Sequence, residues 1–203
     1  MRLYFDTCIV NDSFVLLQNH GGNKLRPEDV KCPLEQWTLE YIALYYLLDL
    51  DDQWNLEFGS SPVMYEELKN MRIRSALARE KKGTMLQMYD LLVEKIISYE
   101  LLPVPGSLLK EISKILPDRK DIEHVCQALL GRWDYFITTD FNSILIHTKQ
   151  LRPFGIIAVS PRKFIEDNFV TLEALVRTLH GSWVSLADVV KSWVNEIESS
   201  VEA

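Results

Sequence analysis

Acidic side chains in this sequence follow segments that are typical of strands or that begin predicted helices. Asp6 directly follows the strand-like run Arg2–Phe5, and Asp140 closes a second such run. Asp121 lies in the first turn of a predicted helix. Because ligands of open parallel α/β sheets bind beyond the carboxyl ends of the strands, we expect these three carboxylates to converge at one edge of a sheet.

A fourth acid is expected from the segment that includes the end of another strand-like run. This segment reads SSPVMYEEL and places Glu66 and Glu67 in the first turns of a helix. Crowded carboxylates repel one another when ionised, and a hard divalent cation that prefers oxygen ligands, Mg²⁺ or Mn²⁺, relieves that repulsion. Such a cation can polarise a phosphoryl oxygen and lower the pKa of a bound water. The pattern therefore predicts metal-dependent hydrolysis of phosphodiester bonds.

Each of these acids also has a purely structural interpretation. Asp6 could begin a turn, and Asp140 could cap a helix that starts at Phe141. Asp121 could interact with a helix dipole, although Asp118 occupies the better capping position. The two glutamates could face solvent. The joint placement of the acids, rather than any one of them, favours a metal site.

The elements that must position these acids alternate along the chain. Short runs rich in β-branched or aromatic residues predict five strands: Arg2–Phe5, Leu56–Gly59, Tyr99–Val104, Tyr135–Thr138 and Ile156–Val159. Helical periodicity predicts helices in Gln36–Asp49, Val63–Ser98, Asp118–Leu130 and Thr171–Ile197. Gly83 is the expected break in the second of these segments, and Gly181–Ser182 in the fourth. This alternation predicts an α/β fold with three layers, α/β/α, around a central, mostly parallel five-stranded sheet.

Two segments are extra to that minimal alternation. Residues 11–52 form a long connection between the first two strands, and residues 167–203 form a helical C-terminal extension. We therefore predict one domain over residues 1–166, with an insertion at 11–52. The apolar positions between Trp183 and Val194 could pack on the same domain, on a second copy of the chain or on another protein.

The charge of the chain is unevenly distributed. The net charge is −7, which at first argues against a nucleic-acid partner. Residues 61–165, however, carry 16 basic and 12 acidic side chains, so the acidity lies at the two ends. Six of the basic residues could hold an RNA backbone or could form a solvated helix face: Lys69, Arg72, Arg74, Arg79, Lys81 and Lys82.

Hydropathy and cysteine usage indicate where the protein acts. The longest apolar run, Tyr41–Leu48, is far shorter than the ~20 residues that span a bilayer, so we expect no membrane partner. The three cysteines, Cys8, Cys32 and Cys126, form no CxxC pair. Reduced thiols are therefore expected, which predicts a cytoplasmic protein.

Two other chemistries are disfavoured by single positions. Haloacid-dehalogenase-type phosphatases need a second Asp two residues after the acid that ends the first strand, and that position here is Cys8. His124 could suggest general-base chemistry. A histidine on a helix face beside Val125 and Cys126, however, is predicted to be a packed structural residue.

Four stretches carry a more specific signal, because they occur in an order known from one family. They read LYFDTCIVND, SPVMYEEL, DIEHVCQALLGRWDYFITTDFNSIL and GIIAVSPRKFIE, and together they cover most of residues 1–166. The chain in this respect resembles the PIN-domain family, which includes the VapC-like toxins of bacterial toxin–antitoxin pairs. The resemblance implies a PIN-like fold and an endoribonuclease that depends on Mg²⁺ or Mn²⁺. It implies RNA as a partner, with an antitoxin, another protein or a second copy of the chain as further candidates.

The resemblance also implies roles for individual residues. Asp6, Asp121 and Asp140 match the acidic positions of the family, and Glu67 matches better than Glu66. These four acids are therefore the expected catalytic and metal-binding residues. Three further residues are expected to support them: Thr7, Thr138 and Asn142.

Asn142 and Ser143 stand where some members of the family carry an additional acid. This difference leaves open whether one or two metal ions bind. It also keeps an alternative function open, in which the chain is a catalytically weak or inactive PIN-fold module that binds RNA or a protein.

Overall fold

The computed structural model of this protein describes residues 1–9, 34–49, 55–70, 96–98, 100–169, 171–180 and 188. By their contacts, the residues group into two compact units. Unit 1 comprises Met1–Asn11 and Asp51–Val159, and unit 2 comprises Asp12–Leu50 and Ser160–Ala203. This grouping does not test which segments fold independently, so the domain boundaries predicted from the sequence stay predictions.

Strands and helices alternate along the described parts of the chain. In chain order they are β1 (Arg2–Phe5), α1 (Leu34–Asp49), β2 (Glu57–Ser60), α2 (Pro62–Asn70), β3 (Ile96–Ser98), α3 (Gly106–Ile112), α4 (Arg119–Leu130), β4 (Tyr135–Ile137), α5 (Thr148–Leu151), β5 (Ile157–Val159), α6 (Pro161–Asn168) and α7 (Leu172–His180). Short 3₁₀ turns at Leu145–His147 and Arg152–Phe154 flank α5.

A parallel sheet forms the centre of unit 1. Its strands lie in the order β3-β2-β1-β4-β5, and every neighbouring pair is parallel. The carboxyl ends of the strands therefore all lie at one edge of the sheet, with β1 in the middle of the order. The predicted α/β class with a parallel central sheet is confirmed.

The middle strands are apolar on both faces, as expected of a parallel sheet covered on both sides. Leu3, Tyr4 and Phe5 are buried in succession. Tyr4 pairs with Phe136 of β4 in the strand register, and their rings stack with centroids 5.4 Å apart. Such cross-strand aromatic pairs help to hold neighbouring strands in register.

Helix α4 is amphipathic, and its sequence shows why it begins and ends where it does. Ile122, Val125 and Cys126 are buried at a spacing that places them on one helix face. Asp118 is the N-cap, as predicted, because its side chain accepts hydrogen bonds from the backbone N–H groups of Lys120 and Asp121. This face packs in the core that also contains Tyr4 and Phe136 of the sheet.

Helix α4 ends at Leu130, as predicted, and the glycine that follows it, Gly131, is required by a close approach and not by a left-handed backbone. The left-handed residue is Arg132, with φ of 54°. A Cβ atom at Gly131 would lie 2.5 Å from Nε1 of the buried Trp133. A Cβ atom at Gly59 of β2 would lie 2.0 Å from the same side chain. Both glycines therefore make room for this tryptophan.

The third predicted strand is wrong. Tyr99–Val104 was expected to be a strand, but the strand lies earlier, at Ile96–Ser98, and residues 100–104 are irregular. The side-chain amide of Gln127 accepts from the N–H of Leu102 and donates to its carbonyl, both at 2.9 Å. A side chain thus occupies backbone groups that a strand would offer to the sheet, and the following Pro103 has no N–H to offer.

The helix predicted over Val63–Ser98 is correct only at its start. Helix α2 covers Pro62–Asn70, and Ile96–Ser98 is a strand. Residues 71–95, including the predicted break at Gly83, lie outside the described residues. Short apolar runs do not distinguish helix from strand by periodicity, which explains the error at Ile96–Ser98.

Unit 2 contains α1, α6 and α7. Helix α1 begins two residues before the predicted start at Gln36, and α7 confirms the first helical stretch of the C-terminal extension. The predicted break at Gly181–Ser182 and most of the second stretch lie outside the described residues. No helix among the described residues is long and apolar enough to cross a membrane.

Candidate metal centre

Asp6 directly follows β1 and is almost completely buried, with 3% of its surface exposed. Its backbone N–H continues the sheet by donating to the carbonyl of Ile137 at 3.1 Å. Its Oδ1 accepts from the N–H of Thr7 at 2.7 Å, and its Oδ2 accepts from the hydroxyl of Thr138 at 2.7 Å. The carboxylate is therefore fixed in orientation by partners at the ends of two neighbouring strands.

Thr138 connects Asp6 to Asp140. It is fully buried directly after β4. Its hydroxyl donates to Asp6 and accepts from the backbone N–H of Asp140 at 3.0 Å. The predicted supporting residue Thr138 thus lies between two of the predicted acids, at the carboxyl edge of the sheet.

The side chain of Asp140 accepts hydrogen bonds from backbone N–H groups that follow it, as a capping residue does. Its Oδ1 accepts from the N–H groups of Asn142 at 3.1 Å and Ser143 at 2.9 Å. The chain there forms a turn, and the expected α-helix starting at Phe141 is absent from this described segment. Asn142 contributes its backbone N–H to this turn, and the residue is exposed.

Asp121 lies in the first turn of α4, and its environment disfavours the charged form. The pKa of Asp121 is raised from its ordinary value of 3.8 to about 7. Burial is the largest cause, the negative charges of Asp6, Asp118 and Asp140 add to it, and His124 acts in the opposite direction. Electrostatic repulsion between like charges falls with distance, so these contributions show that the acids from β1, α4 and β4 lie near one another.

Glu67, and not its neighbour Glu66, is directed to this group of residues. Glu66 is exposed, whereas Glu67 on α2 is half-buried. Oε2 of Glu67 accepts a hydrogen bond from the hydroxyl of Thr7 and lies 3.0 Å from Nε2 of His124. The predicted supporting residue Thr7 therefore touches both Asp6, through its backbone, and Glu67, through its side chain.

The environment of Glu67 favours its ionised form, whereas that of Asp121 favours the protonated form. Burial acts to raise the pKa of Glu67, but hydrogen bonds from His124 and Thr7 outweigh it, so the pKa lies below its ordinary value. Two carboxylates at the same sheet edge thus differ in ionisation because one has hydrogen-bond donors and the other has acidic neighbours.

The contact of His124 with Glu67 was missed in the sequence. The prediction that His124 is packed is correct, since it is 1% exposed, but both ring nitrogens also have polar partners. A usable signal is present in the spacing. Asp121 and His124 are three residues apart on α4, which places them on the same helix face.

The donors in this region have the chemistry of a magnesium or manganese site, although they do not form a closed set of ligands. Their carboxylate oxygens are the ligands that Mg²⁺ and Mn²⁺ prefer. Burial is the main cause of the raised pKa of Asp121, and the charges of Asp6, Asp118 and Asp140, which a divalent cation would neutralise, add to it. Within the described part of the chain, however, no three His, Cys, Asp or Glu side chains are grouped so that they could hold a metal ion. These residues therefore fit a divalent cation in the type of their donor atoms and in their charge, but not as a preformed set of ligands.

The predicted RNA-binding residues are not placed by the structure. Lys69 lies on α2, but its side chain is outside the described part. The other five also lie outside the described residues: Arg72, Arg74, Arg79, Lys81 and Lys82.

Comparisons with known proteins do not assign this chain to a family. No protein family, no curated protein and no solved structure matches it. The resemblance to the PIN-domain family therefore stays a prediction that rests on the motifs of the sequence.

Proposed function

We propose that the protein is a PIN-domain endoribonuclease that hydrolyses RNA phosphodiester bonds with Mg²⁺ or Mn²⁺. The observation that supports this proposal best is the negative charge around Asp121: burial is the main cause of its raised pKa, and Asp6 and Asp140, which follow two different strands, both add to it. Concentrated negative charge at the ligand-binding edge of a parallel sheet is what a site for a hard cation requires.

Each acid has a definite part in this proposal. A divalent cation supplies polarisation of the phosphate and activation of the attacking water. Asp6 would hold it with a carboxylate whose orientation is already fixed by Thr7 and Thr138. Asp121 and Asp140 would complete its coordination, and the cation would in turn lower the pKa of Asp121. Glu67 would be the fourth acid.

The biological setting is proposed from the resemblance to the PIN-domain family and from the cysteine usage. The protein would be a cytoplasmic toxin of a toxin–antitoxin pair, with an antitoxin, another protein or a second copy of the chain as its protein partner. The basic residues that follow Glu67 along the chain would hold the RNA backbone.

A second candidate function is a PIN-fold module that binds RNA or a protein without cutting. One observation favours it. Oδ1 of Asp140 accepts two backbone hydrogen bonds in a turn, so this acid has a structural role that needs no metal.

Cleavage of labelled RNA in Mn²⁺, in Mg²⁺ and in a chelator separates the two candidates. We expect cleavage by the wild-type chain that requires the cation, and a loss of at least about 100-fold in Asp6→Asn and in Asp121→Asn, since even outer residues of metal sites account for 10–100-fold. Asp121→Asn should fold normally, because replacing this carboxylate removes repulsion between acids. A loss of cleavage in this variant would therefore not be explained by misfolding.

Asp167→Asn is the matched control for these variants. Asp167 is exposed on α6 and pairs with Lys163, so its loss should leave cleavage unchanged. If the wild type does not cleave a diverse RNA pool in the presence of either cation, the proposed nuclease activity is contradicted. Binding of the intact RNA by the protein would then support the binding module.

A further inference from the structure

We infer that His124 is a positioning residue: hydroxyl groups of Tyr4 and Ser61 hold its ring so that Nε2–H donates to Glu67 and aims this carboxylate at the proposed cation. The inference deepens the proposed function and rests on it for the role of Glu67. The hydrogen-bond direction that it assigns does not depend on a metal or on RNA.

A continuous row of polar atoms carries the inference. The hydroxyls of Ser61 and Tyr4 lie 2.6 Å apart, the Tyr4 hydroxyl lies 3.0 Å from Nδ1 of His124, and Nε2 of His124 lies 3.0 Å from Oε2 of Glu67. Tyr4 and His124 are each 1% exposed, and Ser61 is 3% exposed. Buried polar groups of this kind are costly unless each is paired, so this row has strict donor and acceptor requirements.

The end of the row at Glu67 fixes the position of one hydrogen. A glutamate side chain is ionised at neutral pH, so the Glu67 carboxylate only accepts hydrogen bonds. The hydroxyl of Thr7 donates its hydrogen to the same Oε2, and its oxygen lies 3.0 Å from Nε2 of His124. Nε2 therefore faces two acceptors and must carry the hydrogen.

The other end of the row holds the ring. A phenol has an ordinary pKa of about 10, so the Tyr4 hydroxyl keeps its hydrogen at neutral pH. A phenol hydroxyl can donate one hydrogen bond and accept another, which suits its place between Ser61 and Nδ1 of His124. An edge-on ring contact between Tyr4 and His124, with centroids 5.9 Å apart, restricts the imidazole further.

The consequence for Glu67 is a fixed orientation. Both hydrogen bonds from His124 and Thr7 reach Oε2, which leaves Oε1 as the oxygen with which Glu67 would bind a cation. Partners that orient a ligand in this way typically contribute about 10–100-fold to metal affinity or activity.

Nitrogen NMR of the imidazole in the metal-free chain tests the hydrogen-bond direction. We expect the His124 signals to show a hydrogen on Nε2. A hydrogen on Nδ1 with a bare Nε2 would overturn the inference, whatever the chain does to RNA.

Mn²⁺ titration of three variants tests the positioning role. We expect about 10–100-fold weaker binding in His124→Leu, which has no donor, and recovery to within a few-fold in His124→Gln, whose amide can donate to Glu67. Gln127→Leu is the matched control, because Gln127 is buried on the same helix and its amide binds Leu102 instead of the acids.

The outcomes distinguish the inference from the proposed function. Equal Mn²⁺ affinity in His124→Leu and wild type would overturn the positioning role, and so would an equal loss of affinity in Gln127→Leu. If the wild-type chain binds no Mn²⁺, the proposed function fails and the positioning of Glu67 for a cation fails with it, while the NMR result still decides the hydrogen-bond direction.

Discussion

Two carboxyl groups, one in each unit of this protein, have a pKa of about 7, but they reach it for different reasons. Glu40 of α1 in unit 2 is buried, and desolvation is the largest cause of its shift. The charge of Glu166 adds to the shift, and the hydrogen-bond partners oppose it: Oε1 accepts from the hydroxyl of Ser160 at 2.9 Å, and Oε2 accepts from the N–H of Arg162 at 3.0 Å. Each carboxyl oxygen of Glu40 thus has a hydrogen-bond donor.

Asp121 in unit 1 differs because three acidic neighbours raise its pKa and no hydrogen bond in the described contacts lowers it. After burial, the contributions that raise its pKa come from other acids, namely Asp6, Asp118 and Asp140. The comparison teaches that a raised pKa alone does not mark a functional site. The informative feature is whether the surrounding groups donate hydrogen bonds to the carboxylate or add negative charge that a further ligand must neutralise.

The largest difference is expected when each side chain is truncated. Glu40→Ala should lower the free energy of unfolding by about 3–4 kcal/mol, because two donors at the start of α6 lose their acceptor. Asp121→Ala should change it by less than about 1 kcal/mol, because no donor depends on that carboxylate in the described contacts. Urea denaturation measures both values. Equal losses would remove the distinction between the two groups.

The second difference is expected on addition of a cation. At about 100 times its dissociation constant, Mn²⁺ should stabilise the wild type by about 2.7 kcal/mol, which in a chain of this size raises the Tm by about 5–10 °C. Glu40→Gln should show the same rise and Asp121→Asn a much smaller one. Thermal unfolding with and without Mn²⁺ measures these shifts, and an undiminished rise in Asp121→Asn would place the cation elsewhere.

The smallest difference is expected in the pH dependence of stability. Both groups have a folded-state pKa of about 7, above their ordinary values of 3.8 for Asp121 and 4.5 for Glu40. The folded state therefore holds these protons more tightly than the unfolded state, so their contribution is complete below about pH 4 and is lost as the pH rises through 7.

Asp121→Asn should lose less stability than the wild type between pH 5 and pH 8. Because Asp121 is only half-buried and partly screened by solvent, we expect a difference of about 1 kcal/mol, or about 2–4 °C in Tm. Mn²⁺ should reduce the pH dependence of the wild type in the same way. A steeper pH dependence in Asp121→Asn than in the wild type would contradict the assigned direction.

Local patterns in the sequence were sufficient for most of the elements. The bounds of β1 were predicted correctly, and β2, β4 and β5 lie within one residue of their predicted positions, because compact apolar runs are followed there by turn residues. The third strand failed because the amide of Gln127, 25 positions along the chain, takes the backbone groups of Leu102. A hydrogen bond across that separation leaves no local pattern.

The sequence by itself determined that acids stand at the ends of strands and at the start of α4, because each such position depends only on a short segment. Only the tertiary structure decided between Glu66 and Glu67 and gave His124 its two polar partners. The physical reason is that Thr7, Glu67 and His124 come from segments 57 or more positions apart, and their contact depends on which face each helix turns to the sheet.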